Sequence, residues 1–203
     1  MSNKGAAHDP ETLAFYDREA KNYAVRPKPE RNKRLEQFLT SLAPGAKILE
    51  LGCGGGQDSE AMIRAGFDVT PTDGSPGLAR EAERRLGQPV KILRFEDLDE
   101  RAAFDAVWAS ACLLHVPADR LADVLTNVHA ALRGGGRFYA SYKMGDGGDR
   151  DSLGRYYNFP SREKLAAAYK QAGDWATVTM EEAAGGGYDG VPRTFLHVTA
   201  VKA

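Results

Sequence analysis

The segment Glu50-Leu51-Gly52-Cys53-Gly54-Gly55-Gly56-Gln57 sets four glycines in five residues directly behind a carboxylate. Glycine lets a backbone turn sharply and lets a ligand reach its N–H groups with no Cβ in the way. A helix following such a loop turns its positive N-terminus on the same point. The loop therefore suits a carboxylate, a phosphate or a nucleoside. It does not fit the dinucleotide fingerprint GxGxxG, whose third glycine would fall on Gln57; it reads as GxGxG behind an acid.

Three further segments carry candidate chemistry. Asp73 lies 21 residues after Gly52, where a strand-end carboxylate can accept both hydroxyls of a ribose. The same residue also fits an Asp turn ahead of a helix opening at Ser75. In Phe95-Glu96-Asp97-Leu98 a carboxylate could accept from an exocyclic amine such as that of adenine, beside the flat face of Phe95. Asp99 and Glu100 extend this acidity into an ordinary solvated turn. The stretch from Trp108 to Pro117 offers small residues, Ala109, Ser110 and Ala111, and closes on His115. By position His115 is the candidate base, with an unperturbed pKa of about 6.5; packing ahead of the Pro117 helix is the more ordinary role for such a histidine. Cys112 has no activating neighbour in sequence and reads as packing. His129 and His197 sit in segments of ordinary pattern and receive no role.

These residues need a framework that delivers them to one edge. Asp9-Pro10-Glu11 opens a helix with an N-cap acceptor, Pro at N1 and an acid in the first turn. That helix is expected through Tyr23, with a break near Arg26-Pro27-Lys28-Pro29. A second is expected from about Glu30 to Leu42, ending at Pro44-Gly45. From there, apolar strands (46–51, 67–72, 89–95, 104–110 and 137–142) alternate with helices (58–65, 75–86 and 117–132), the last with Gly134 to Gly136 past its end. A polar loop from Gly145 to Asp151 precedes a helix over 161–172. Strands over 175–180 and 194–201, joined by a Gly-rich connection, close the chain.

Such alternation predicts a parallel sheet with right-handed crossovers and helices on both faces. The expected fold is α/β: a Rossmann-like, doubly wound, seven-stranded sheet edged by a C-terminal antiparallel hairpin. Residues 1–203 are expected to form one domain, with 1–43 a helical cap and 46–203 the α/β core. In open α/β sheets ligands bind outside the C-terminal strand ends, where strand order reverses. All four chemical segments follow strand ends.

Composition narrows the function. The 27 basic and 28 acidic residues leave a net charge of −1, which excludes a chain-wide electrostatic nucleic-acid binder. Hydrophobic residues at 42% and charged residues at 27% fit neither disorder nor a membrane protein. The most apolar run, Val107 to Val116, is too short to span a bilayer, and MSNKGAAHDP lacks a secretory apolar stretch. Cys53 and Cys112 show no CxxC or Cys/His ligand spacing, so no metal site is expected, and reduced thiols in a cytosolic protein are.

With these motifs in this order, the chain resembles the class I S-adenosylmethionine-dependent methyltransferases. ELGCGGG resembles that family's first motif, VTPTDGS its ribose-binding acidic motif, RFEDL its adenine motif and FDAVWASACLLHV its fourth-strand motif. The resemblance spans residues 46–143, and AFYDREAKNYAVRPKP is similar to the helical cap of many members. It implies S-adenosylmethionine as cofactor and S-adenosylhomocysteine as product. Gly52, Cys53 and Gly54 would approach its methionine and ribose parts. Glu50 would orient the loop or reach the methionine amine through water, and Asp73, with Gly74 beside it, would take the ribose hydroxyls. Glu96 and Asp97 would bracket the adenine edge, and Ala109 and Ser110 would contact the methionine near the sulfonium. Tyr16, Tyr23 and Arg26 would close over the cofactor. A guanidinium suits a carboxylate, although Arg26 reads equally as surface charge.

The family's acceptor pocket is built from the cap and the segments after the fourth and fifth strands. Here that implies Tyr142, Lys143, Arg155, Tyr156, Tyr157, Asn158 and Arg193. Tyrosines and cations suit a small polar or anionic acceptor; Arg155-Tyr156-Tyr157 would equally pack a loop onto the sheet. An RNA acceptor would use Arg18 to Glu36, with seven cations against three anions, which a solvated helix face explains as well. The lack of interleaved aromatics beyond Tyr23 favours a small molecule. Methyl transfer is an in-line displacement on an activated sulfonium, so the protein supplies alignment and a dry pocket, and a base only where the acceptor is protonated. Two other classes share parts of this pattern: a nicotinamide-dependent oxidoreductase, against which the missing third glycine argues, and a non-catalytic S-adenosylmethionine-binding sensor.

Overall fold

The computed structural model describes residues 6–27 and 32–203. The N-terminal cap consists of α1 (Pro10–Arg18), α2 (Ala20–Ala24) and α3 (Lys33–Thr40). Asp9 caps α1 by accepting from the Thr12 N–H at 2.8 Å, and Asn32 caps α3 through the Leu35 N–H. The helix expected to run unbroken to Tyr23 is interrupted at Glu19, whose φ and ψ of −89° and 6° are not helical. The expected start of the next helix at Glu30 lies outside the described residues, as do Lys28 and Pro29 of the expected break.

The core comprises β1 (Lys47–Leu51), α4 (Gln57–Arg64), β2 (Asp68–Asp73), α5 (Pro76–Leu86), β3 (Lys91–Ile92), β4 (Phe104–Ala109), α6 (Leu121–Ala131) and β5 (Leu132–Lys143). Then follow β6 (Asp149–Arg150), β7 (Tyr156–Tyr157), α7 (Arg162–Ala172), β8 (Trp175–Gly186) and β9 (Pro192–Lys202). Seven strands form one sheet in the order β3-β2-β1-β4-β5-β9-β8. The pairs β2–β3, β1–β2, β1–β4 and β4–β5 are parallel, and β9 runs antiparallel to both β5 and β8. The expected doubly wound sheet with its reversed terminal pair is thus present. Strand order reverses between β1 and β4, which puts the crevice over the loops after those two strands.

Three departures have local causes. The third strand is only two residues long, because the chain turns at Arg94 into a short 3-10 turn over Phe95–Asp97. Gly134 to Gly136 belong to β5 rather than to a loop: Phe104 faces Leu132 while Ala106 faces Arg137, so the glycine run is accommodated as a bulge. The polar loop after β5 contains a small hairpin, with Asp149 and Arg150 paired to Tyr157 and Tyr156.

Side chains alternate along β5 with period two. Phe138 and Tyr142 point to the α7 side, where Phe138 lies 5.9 Å from the Tyr169 ring and the Tyr142 hydroxyl meets that of Tyr169. Tyr139 points the other way and stacks on Trp108 at 4.0 Å, whose indole N–H donates to Asp58. Ser141 and Lys143 share that second face, above the end of β4. No helix among the described residues is long and apolar enough to cross a membrane.

Candidate active site

The loop after β1 is held by its own backbone and by the end of β2. Gly52, Gly54 and Gly56 take φ of +64°, +58° and +77°, the left-handed region that non-glycine residues enter at a cost of about 1–2 kcal/mol. A Cβ on Gly52 would stand 2.5 Å from that of Cys112, so strand order and loop shape together demand glycine there. Asp73 fastens the loop: one carboxylate oxygen accepts from the Gly54 N–H at 2.8 Å and the other from Ser75 N–H at 2.9 Å. Burial pushes the Asp73 carboxyl up to about 6, with the two N–H donors pulling the other way. Each oxygen keeps a lone pair for a further donor.

Glu50 accepts from the Ser59 hydroxyl within the protein and stands behind the loop, outside both cavities. Cys53 packs its side chain against Ala79, Ala82 and Val90, so only its backbone serves the loop. Cys112 points its thiol at the Leu51 carbonyl, and burial pushes its pKa well up. It is a packing residue.

The cap is seated on this loop. Gly55 passes so close to Ala24 that a Cβ would be 2.8 Å from its Cα. Asp17 accepts from the Gly77 N–H at 2.6 Å and from the Ser75 hydroxyl at 3.1 Å, adding a second carboxylate to the start of α5. Across the cleft, Arg150 forms two bonds to Asp9 of 3.0 and 2.8 Å, and the Tyr156 N–H donates to Thr12.

Two cavities result. The narrower, about 90 Å³, is lined by the loop glycines Gly52 and Gly54, by Asp73 and Gly74, and by apolar Leu78, Leu93 and Phe95 under α1. The wider, about 1,160 Å³, lies between the cap, α4 and the β5–β9 face, with Ser110, Ser141, Lys143, Arg155 and Tyr157 in its wall. Tyr16, Tyr23, Ala111 and His115 line both and so form the partition.

The partition is a chain of hydrogen bonds. His115 Nδ1 lies 2.6 Å from the Tyr156 carbonyl, which can only accept, so Nδ1 carries the proton. Nε2 then accepts from the Tyr16 hydroxyl at 2.9 Å, and that oxygen accepts from Arg155 at 2.9 Å. Arg155 closes on Asp151 with bonds of 3.0 and 2.6 Å. Burial drives the His115 pKa down to about 3, against the pull of the Tyr156 carbonyl. In this arrangement His115 is neutral near pH 7, and its free lone pair is already engaged.

The remaining expected residues divide. Tyr16 and Tyr23 stand between the cavities. Arg26 faces only the wider one, stacked 3.4 Å over the Tyr23 ring and donating to the Tyr23 carbonyl. Ser110 lines the wider cavity, whereas Ala109 is enclosed in β4. Glu96 turns to His8 at 2.5 Å and Asp97 is exposed; neither lines the narrow cavity, to which Leu93 and Phe95 contribute. Tyr142 is a correction: fully enclosed against Tyr169, it points to the opposite face of the sheet. Tyr156 turns its ring to Gly148, Asn158 ties down the Leu113 and Val116 carbonyls, and Arg193 lies 4.8 Å over Phe159. Asp17, Thr12 and Ser141 escaped the sequence reading because their partners lie on distant segments. Among the described residues no three His, Cys, Asp or Glu groups are placed to share a metal ion.

Residues 48–136 match the methyltransferase domain family. The ubiquinone biosynthesis O-methyltransferase of Xanthomonas campestris pv. campestris (strain B100) is 38% identical over 116 residues, 53% of this chain and 48% of that protein. The chain thus spans about half the length of the curated relatives it matches. Among solved structures, Burkholderia thailandensis 1,6-didemethyltoxoflavin-N1-methyltransferase, with bound 1,6-didemethyltoxoflavin and S-adenosylhomocysteine, superposes with a TM-score of 0.72 at 23% identity, covering 100% of this chain and 93% of that one. The cyclase SpnF superposes with a TM-score of 0.69 at 17% identity, covering 97% of each chain. Motif order, strand order and the matched residues point the same way: the stretch 48–136 is similar to the methyltransferase domain family, and the chain shares the fold of the solved methyltransferase structure.

Proposed function

We propose that the protein binds S-adenosylmethionine in the cleft between the β1 loop and the cap and transfers its methyl group to a small polar or anionic acceptor held in the wider cavity. The observation that carries this reading is the junction of Asp73 with Gly54 over an apolar floor. Asp73 Oδ2 is fixed by the Gly54 N–H, and Leu78, Leu93 and Phe95 line the same space. A carboxylate facing hydroxyls, beside apolar walls for a base, fits a nucleoside. A space of about 90 Å³ is well below the roughly 300 Å³ at which ligand pockets begin, so entry displaces α1 from its seat and the Tyr16–His115 contact opens the two cavities to each other.

When bound, the cofactor supplies a methyl group already activated by its sulfonium. The chain's own residues then bind and align. Asp73 takes up hydroxyl donors, Gly52 and Gly54 keep the loop backbone bare, and Tyr16 and Tyr23 shut the cap and exclude water. The name of the Xanthomonas relative favours oxygen as the acceptor atom, and that of the Burkholderia structure shows that the fold also serves nitrogen.

Calorimetric titration with S-adenosylmethionine and S-adenosylhomocysteine, with NADH as control, tests the reading. Micromolar binding of the first two is expected. Asp73→Asn should weaken S-adenosylhomocysteine by about 1–3 kcal/mol, the scale of a hydrogen bond to a charged group. Binding of NADH alone overturns the assignment.

A further inference from the structure

Lys143 ends β5 on the cavity side of the sheet, two residues beyond Ser141, whose hydroxyl accepts from the Ala111 N–H at 2.9 Å. It therefore stands in the wall of the wider cavity, on the side of the loop after β4. Its side chain is only 3% exposed, yet its Nζ has no hydrogen-bond partner among the described residues. The nearest carboxylate oxygen, on the equally buried Asp189, is 3.8 Å away, an ion-pair distance that is beyond hydrogen-bond range. Nζ sits 3.9 Å over the Tyr157 ring and lines the wider cavity.

An enclosed amine with three donor positions and no acceptor is costly unless it is neutral or finds a ligand. Arg155, the other buried cation of this wall, is fully engaged by Asp151 and Tyr16. Facing Lys143 are Asp189 from the β8–β9 connection, Asp151 and Arg155 from the β6–β7 segment, and Arg193 from β9. Burial lowers its pKa first; Arg155 and Arg193 add to this, while Asp189 and Asp151 oppose it. His115, the sequence's candidate base, is blocked by Tyr16 and the Tyr156 carbonyl.

The geometry points to Lys143 as the residue that takes the proton from the acceptor, and to an acidic hydroxyl, of the phenol or enol class, as the group methylated. This rests on the methyl-transfer reading above. In the step, the neutral Nζ lone pair accepts the hydroxyl proton, and the O–H bonding pair becomes a lone pair on oxygen. That oxygen forms the new O–C bond as the C–S bond breaks, leaving its pair on sulfur and turning the sulfonium into a neutral thioether. The ammonium of Lys143 then loses its proton to water once product leaves.

Two measurements test this, neither relying on turnover. First, trace acetylation of the intact protein across a pH series, with the Lys143 peptide read by mass spectrometry, gives its titration directly. Its half-point should lie below that of the same peptide in the unfolded chain, as burial of the amine dictates; a half-point equal to that of the unfolded chain overturns the proposal. Second, 4-nitrophenol is added to the S-adenosylhomocysteine complex one pH unit below the phenol's own solution pKa. The phenolate absorbance should rise several-fold in the wild type and fall to the free-phenol level in Lys143→Met. No phenolate band in the wild type, or an equal band in Lys143→Met, overturns it. Calorimetry on the same samples separates the two readings: loss of S-adenosylhomocysteine binding in the wild type defeats the cofactor assignment, whereas intact binding without the phenolate band defeats only the role of Lys143.

Discussion

The two ends of the cleft are built by opposite means. At the loop end, backbone does the positioning: left-handed glycines set the turn, and Asp73 bridges to Gly54, 19 residues away in sequence. At the wider end, side chains do it. Tyr16 reaches His115 across 99 residues and Arg155 reaches Tyr16 across 139, all within a buried network closed by Asp151. A backbone-made site is tolerant of side-chain change but not of an added Cβ. A site made of buried polar side chains is the reverse: each member depends on its partner, and a partly satisfied network costs more than none.

The sharpest way to break this contrast is to open the network at its charged end. Asp151→Ala leaves the Arg155 guanidinium buried without its carboxylate, and chemical denaturation should show a loss of about 3–5 kcal/mol, the range for breaking one side of a buried pair. A loss under about 1 kcal/mol would place this network with ordinary surface pairs and dissolve the comparison.

His115 gives the pH signature of the same end. Its pKa of about 3 lies below the ordinary value of 6.5, so the unfolded chain binds a proton that the folded one refuses. Stability from this group is full above pH 6.5 and drains away as pH falls toward 3, by several kcal/mol in order of magnitude. His115→Gln should flatten the decline of stability over that window; an unchanged slope would mean the imidazole is protonated in the fold. Asp73 runs the other way. Its pKa is raised from 3.8 to about 6, so its contribution is full below pH 3.8 and is lost as pH rises through 6.

At the loop end the corresponding break is Gly52→Ala. The φ of +64° and the 2.5 Å approach to Cys112 together should cost about 2–4 kcal/mol, seen as a lower denaturation midpoint. A near-neutral result would show that the β1 loop relaxes freely. The smallest effect is expected at the rim. Arg150→Ala removes a half-exposed pair with Asp9 and should leave the denaturation midpoint nearly unchanged, while speeding S-adenosylhomocysteine association if cap displacement limits entry. Stopped-flow binding distinguishes the two effects.

Legibility in the sequence followed the same divide. The β1 loop, Asp73 and the strand–helix alternation were readable because each rests on contiguous residues with defined backbone demands: a Gly run at a sharp turn, an Asp at a strand end, Ser75-Pro76 at a helix start. The bulge at Gly134 to Gly136 was not, since glycine clusters mark loops and bulges alike until the partner strand is known. Glu96 and Asp97 carried an adenine motif in sequence, but the 3-10 turn swings Phe95 inward and leaves Glu96 to His8. Tyr142 and Lys143 are neighbours of similar promise, and only the pleat of β5 sends one into the core and the other to the cavity.

What the sequence alone determined is the local chemistry and the order of the elements: where the chain must turn, where helices start, and which carboxylates stand at strand ends. Tertiary structure decided which polar groups meet and which are left without a partner. Burial depends on packing from segments distant in the chain, so the low pKa of His115, the engagement of Arg155 and the Lys143 amine left without a hydrogen bond are properties of the assembled fold.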